Sequence, residues 1–178
     1  MNSKIISIFE IANSSFLTND RELILSNVNE RSMCTALSQH LTSKISCTKY
    51  KKYHVDTEYN RNNGKIKTII DNILEIISIN CDLIVHSRGE NIKQDNLIAL
   101  EMKKSTASKP EKQRDKNRLI ALTKDTFDEV WSYDGRTFPK HVCRYCLGIY
   151  YEVNIRNKNI LLEYFQKGKL LSKKTISF

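Results

Sequence analysis

The segment Asn96-Leu97-Ile98-Ala99-Leu100-Glu101-Met102-Lys103 constrains this chain more than any other. It reads as a strand, in which successive side chains point to opposite faces of a sheet. Glu101 and Lys103 then share a face with Leu97 and Ala99, while Ile98, Leu100 and Met102 point the other way. A second strand-like run, Asp82-Leu83-Ile84-Val85-His86, puts Asp82 and His86 on one face with Ile84. The link from Ser87 to Asp95 is polar and contains Gly89, as a hairpin loop should, and it exceeds the tight two-residue type. If the two strands are antiparallel neighbours, the acid opening one meets the Glu-x-Lys closing the next.

That meeting has chemical content. Two carboxylates supply hard oxygen ligands, and Mg2+ accepts one or two of these and completes its shell with water and phosphate oxygens. A cation held there lowers the pKa of a bound water and offsets charge developing on a phosphodiester. A lysine at the same place orients or deprotonates that water, or donates to the phosphate. Glu-x-Lys also arises at strand ends by chance, because solvated ends collect charge, so its meaning depends on context.

The chain has 178 residues, 40% of them hydrophobic and 28% charged, with only two prolines, which suits one globular α/β domain spanning 1–178. No apolar run reaches the roughly 18 residues needed to span a bilayer. Met1-Asn2-Ser3-Lys4-Ile5-Ile6 is followed by no secretory cleavage site, so the expectation is a cytoplasmic chain with no membrane partner. Five cysteines, an odd number, argue against a disulfide framework. Cys143-x-x-Cys146 with His141 lacks the second pair of ligands a zinc site requires, and a strand interior explains Cys146 more simply.

The net charge of +9 suits a polyanionic partner. From Lys103 to Lys124 there are eight cations and two anions, directly after the acids. Lys104, Lys109, Lys112, Arg114, Lys116 and Arg118 are the candidate nucleic-acid contacts, placed where a phosphate backbone would lie. The competing account is a solvated loop and helix face, as most charge runs are.

Elsewhere the spacing predicts a short helix over Ile5 to Phe16 and a second from Asn19 or Asp20 to about Ser43. Leu23, Asn27, Glu30, Cys34, Leu37 and Leu41 would form one face of the second. A carboxylate on that face, Glu30, is paired, protonated or a metal ligand, because a bare buried charge is costly. Val55 to Arg61 reads as a first strand ended by Asn62-Asn63-Gly64, with Glu58 and Asn60 on one face. Lys65 to Ile79 suits a helix or a twisted hairpin. Lys112 to Phe127 reads as a helix, Tyr133-Asp134-Gly135-Arg136 as a turn, and Tyr145 to Val153 and Ile160 to Phe165 as two further strands before a basic tail.

Three segments together carry a resemblance. Val55-Asp56-Thr57-Glu58-Tyr59-Asn60-Arg61, Cys81-Asp82-Leu83-Ile84-Val85-His86-Ser87-Arg88-Gly89 and Asn96 to Lys104 occur in the order seen in a largely uncharacterised prokaryotic group of the PD-(D/E)XK superfamily. The chain resembles these restriction-endonuclease-like nucleases from about Glu30 to Val153. A later helix motif of that group, Asp-x-x-Lys-Leu, appears as Asp115-Lys116-Asn117-Arg118-Leu119, with Arg118 in place of Lys. Cys81 stands where proline usually precedes the aspartate, and Lys65 to Ile79 is an insertion.

The resemblance implies an α-β-β-β-α-β core with a central mixed sheet flanked by helices. It implies Asp82 and Glu101 as metal ligands, Lys103 as the catalytic lysine and Glu30 as the helix acid that supports the metal or its water. It places His86, Glu58, Asn60, Asp115 and Arg118 in supporting or phosphate-contacting roles. The expected activity is hydrolysis of phosphodiester bonds, in DNA, by an endonuclease using Mg2+ or Mn2+, with a homodimer or a recognition partner supplying specificity. The alternative is a binding module on the same fold that grips nucleic acid or protein without cutting.

Overall fold

Ile5, Phe9, Ala12 and Phe16 recur at helical spacing and are all buried, which turns the N-terminal segment into one long helix, α1 (Asn2–Asn19). It runs beyond the Ile5–Phe16 stretch anticipated from sequence. The structure, a computed structural model, describes residues 3–59, 80–91, 93–125 and 144–178 in full, and Asn2 and the strands β2 to β5 by their backbone.

The expected second helix is instead two. α2 (Arg21–Leu25) ends at Ser26, Asn27 takes a left-handed φ of 60°, and α3 (Glu30–Ser46) begins afresh. Asn29 fixes the restart, since its side chain accepts the Ser32 amide at 2.8 Å as an N-cap. Met33, Cys34, Leu37, Leu41 and Ile45 then form the buried stripe of α3. Glu30 therefore sits in the first turn of a helix and not in the middle of an inward face.

The strands follow: β1 (His54–Thr57), β2 (Arg61–Asn62), β3 (Lys65–Ile66), β4 (Thr68–Ile70), β5 (Ile76–Ser78), β6 (Leu83–His86), β7 (Asn96–Lys104), then helix α4 (Lys109–Thr123), and β8 (Leu147–Asn154), β9 (Asn159–Gln166) and β10 (Lys169–Ser177). Six of them make a mixed sheet in the order β1-β6-β7-β8-β9-β10. Every neighbouring pair is antiparallel except β7 and β8, and α4 lies in the crossover that this parallel pair requires. β2 with β3, and β4 with β5, form two separate antiparallel ladders. The described parts of the Lys65–Ile79 insertion are therefore strand, which favours the hairpin over the helix. Asn60, Asn63, Gly64, Phe127, the Tyr133–Arg136 turn, His141 and Cys143 lie outside the described residues.

The first strand stops short of the anticipated Arg61: Glu58 turns left-handed at φ 52°, its amide making a last bond to the Asp82 carbonyl at 3.3 Å. The basic tail, anticipated as a tail, is strand β10. Lys167 and Gly168, both at positive φ (50° and 71°), make the two-residue turn that folds β10 onto β9.

Helices cover both faces. On one, α1 and α3 pack on Leu83, Val85, Ile98, Leu100, Met102, Ile149 and Tyr151. On the other, Leu119, Ala121 and Leu122 of α4 pack on Ile84, Ala99, Tyr150 and Phe165. Each fully buried aliphatic side chain in these layers stabilises by roughly 1.5–3 kcal/mol. Gly148 permits the close approach of α4: a Cβ there would lie 3.0 Å from Thr123 Cγ2 and 3.2 Å from Phe165 Cβ. Alternation along β7 has one break. Val85 pairs with Ile98 but His86 with Asn96, so Leu97 is an extra, bulged residue and packs with the α1/α3 face rather than with Ala99. Among the described residues, no helix is long and apolar enough to cross a membrane.

Candidate active site

β7 is longer than its neighbour β6, and the site is built where β6 ends. Leu83 pairs with Leu100 in the last step of the ladder, and Asp82 lies just beyond it. Glu101 is on the side that α4 covers, where Arg118 meets it. Asp82 and Glu101, the two carboxylates anticipated as partners, are close enough that Asp82 helps to raise the Glu101 carboxyl.

Beyond the end of β6, two amides of β7 take side-chain acceptors instead of a strand. Met102 N donates to Asp82 Oδ2 at 2.7 Å, and Lys104 N donates to Glu30 Oε1 at 2.8 Å. The helix break at Ser26–Asn29 makes the second contact possible, because it places the first residue of α3 at this end of β7. Glu30 Oε2 also lies 3.3 Å from Lys103 Nζ. Asp82 and Glu30 therefore complete the sheet edge as well as lining the site.

From the other side, α4 lays polar side chains over the sheet. Arg118 forks onto Glu101, with Nε donating to Oε1 at 3.0 Å and Nη2 to Oε2 at 3.2 Å. The same Nη2 donates to Asp115 Oδ1, three residues earlier on the helix. Lys103 Nζ stands 3.2 Å from Asp115 Oδ2, yet that buried oxygen accepts no well-directed hydrogen bond. Four carboxylates (Glu30, Asp82, Glu101, Asp115) thus share two cations, Lys103 and Arg118.

The electrostatics reflect that imbalance. Burial pushes the Glu101 carboxyl up to about 8, with help from Asp82 and Asp115 and against the pull of Arg118. Asp82 is also raised, by burial first, although the Met102 amide and Lys103 oppose it. Lys103 is raised as well: burial works downward, but Asp115, Asp82 and Glu30 outweigh it. Lys103 therefore stands as a cation among these acids.

The donors fit a divalent ion on these grounds. Asp82 and Glu101 offer hard oxygens, Asp115 Oδ2 is buried and accepts no well-directed hydrogen bond, and the four acids outnumber the two cations beside them. Among the described residues, no three or more His, Cys, Asp or Glu side chains stand together as a metal cluster. Two protein carboxylates suffice for Mg2+, whose other ligands are ordinarily water and substrate phosphate.

The six basic candidates divide. Lys109 and Arg114 are exposed on α4. Lys112 pairs with Glu152 at 3.0 Å, Lys116 with Glu163 at 2.8 Å, and Arg118 with Glu101 and Asp115. Lys104 Nζ donates to the Asn27 carbonyl and side chain at 3.0 and 2.8 Å. Charge along the sequence overstated the free cationic surface, because the first half of α4 packs on the sheet through ion pairs. The Asp115–Arg118 spacing is the sequence signal that α4 contributes to the site, and only the docked helix shows that it closes on Glu101.

A second polar cluster holds β1 to the β6 loop. Asp56 Oδ2 lies 2.9 Å from His86 Nε2, and Arg88 donates to both Asp56 oxygens at 2.9 and 2.5 Å. The Tyr59 ring lies 4.6 Å from that of His86. Glu58 pairs with Arg31 on α3 at 2.6 Å. Burial works against ionised Asp56, but the Arg88 and His86 contacts prevail and hold its carboxyl below the usual range. An acid whose folded pKa is depressed contributes stability that is complete above its unfolded value, about 3.9, and lost as pH falls through the folded value. Asp56→Asn is expected to lower stability at pH 7 by about 2 kcal/mol, the scale of hydrogen bonds to a charged group. In urea unfolding from pH 7 downward, the gap from wild type narrows below about pH 4. A gap of constant size across that range contradicts this assignment.

No family model, curated protein or solved structure matches the chain.

Proposed function

We propose that this chain is a metal-dependent nuclease that hydrolyses phosphodiester bonds in DNA on a restriction-endonuclease-like core. The observation that carries the reading is the gathering of Glu30, Asp82, Glu101 and Asp115 around Lys103 and Arg118 at the end of β6, with Glu101 and Lys103 two residues apart on β7. The element order supports it: α3, the antiparallel set β1-β6-β7, α4 and the parallel β8 follow the α-β-β-β-α-β sequence implied by the resemblance.

When bound, Mg2+ or Mn2+ would supply an activated water and neutralise charge on the phosphate. Asp82 and Glu101 would hold that ion through carboxylate oxygens. Lys103 Nζ, kept protonated by the surrounding acids, would orient the water and donate to the phosphate as negative charge develops there. Glu30 would fix Lys103 through its Oε2 and hold the strand end through the Lys104 amide. Exposed Lys109 and Arg114, next along α4, would meet the backbone on either side of the scissile bond.

One observation favours a second reading, a non-catalytic nucleic-acid- or protein-binding module. Arg118 occupies both oxygens of Glu101, as it would in a site that never ligates. Incubation of plasmid and single-stranded DNA with Mg2+ or Mn2+ separates the two. Nicking that requires the ion supports the nuclease, and salt-sensitive binding without nicking supports the module.

A further inference from the structure

We infer that Arg118 is an internal stand-in for the divalent ion: its guanidinium forks onto the Glu101 carboxylate and must leave it for an ion to bind. The inference rests on the metal-dependent reading above and concerns how that site is kept closed.

The geometry is specific. Both Glu101 oxygens are engaged by a fork of two nitrogens, the strongest pairing a carboxylate makes with a side chain. Glu101 is 1% exposed, so solvent offers it no alternative partner. An ion ligated by Glu101 would meet a guanidinium already in contact with the same oxygens, and two cations on one carboxylate repel. The side chains differ in freedom. Glu101 is enclosed, whereas the Arg118 side chain keeps 24% of its surface open and has a path to solvent.

Leaving Glu101 does not strand Arg118, because Asp115 holds the same Nη2 from one turn back on α4. The guanidinium can pivot on Asp115 towards the open side, where a phosphate oxygen would receive it. The protein thus exists as a closed form with Arg118 on Glu101 and an open form able to ligate. Apparent metal affinity falls in proportion to the open fraction. Lysine lacks the planar two-nitrogen fork that matches both oxygens, so Arg at position 118 closes the site more firmly than Lys would.

The test is titration of the full-length chain with Mn2+, with free ion followed by electron paramagnetic resonance, for wild type, Arg118→Lys and Arg118→Met. The expected result is affinity rising in that order, with Arg118→Met about tenfold or more tighter than wild type, the scale set by losing a bidentate charged pair. Thermal melts give an independent readout. Arg118→Met is expected to melt lower than wild type in chelator and to gain more from Mn2+. If wild type binds Mn2+ and neither variant binds it more tightly, Arg118 is not the closing group, and the metal reading survives. If no folded variant or wild type binds Mn2+, the metal reading falls and this inference with it. Should Arg118→Met fail to fold, Arg118→Lys against wild type decides by the same order of affinities.

Discussion

Lys103→Ala is expected to lower Mg2+-dependent cleavage of plasmid DNA about a thousandfold, the scale of removing one charged group aimed at developing negative charge. The side chain touches Glu30 and Asp115, so its loss leaves Glu30 without that cation and Asp115 with Arg118 alone. That costs about 1–3 kcal/mol, as for a buried polar group deprived of its partner. A domain stable by about 5–15 kcal/mol remains folded under this loss. The informative comparison is with metal binding. Lys103 contributes no ligand, so the variant is expected to bind Mn2+ at least as tightly as wild type while failing to cut. Retained cleavage by this variant removes Lys103 from the chemistry.

The strands behind this expectation were legible in the sequence, but their register was not, because the Ser87–Asp95 link exceeds a two-residue turn. A period of two along Ile98 to Lys103 placed Glu101 and Lys103 on one face, and the polar Ser87–Asp95 link marked a hairpin. The bulge at Leu97 was not legible, because an extra residue in one strand is defined only by its partner. The break before α3 was hidden for a similar reason. Leu23, Asn27 and Glu30 keep helical spacing through it, and the competing signal, Asn29 as an N-cap, is local and short. β10 read as a tail because both its faces are solvated, so hydrophobic alternation, the usual signature of a strand, is missing.

Glu101 and Lys103 were legible with the strand that carries them, whereas Asp82 precedes β6 and Glu30 and Asp115 sit on helices. The surroundings of the α4 cations were not legible. Lys112, Lys116 and Arg118 looked like part of a phosphate-binding stripe, and they face the sheet because α4 lies over Glu152, Glu163 and Glu101. That fact depends on how a helix docks on three different strands, and no spacing within α4 encodes it.

Glu101→Gln is expected to lower cleavage about a thousandfold or more, because an ion that supplies several kcal/mol of transition-state stabilisation loses a charged ligand. It differs from Lys103→Ala in abolishing Mn2+ binding along with cleavage. The cost in metal-free stability is expected to stay below the roughly 3–5 kcal/mol that follows when one partner is stripped from a buried ion pair. Arg118 keeps Asp115, and the repulsion of Glu101 by Asp82 and Asp115 disappears. Urea unfolding in chelator measures this term apart from the catalytic one. A variant that is folded, binds no Mn2+ and cuts at the wild-type rate has no place in the account.

The central claim is that residues 82 and 101 grasp one divalent ion between them. Crystals of the protein grown with Mn2+ and measured near the manganese absorption edge give the direct answer. The account expects one anomalous peak at inner-sphere distance, about 2.0–2.2 Å, from a carboxylate oxygen of each residue. A peak bound elsewhere, or none at a saturating concentration of the ion, contradicts it.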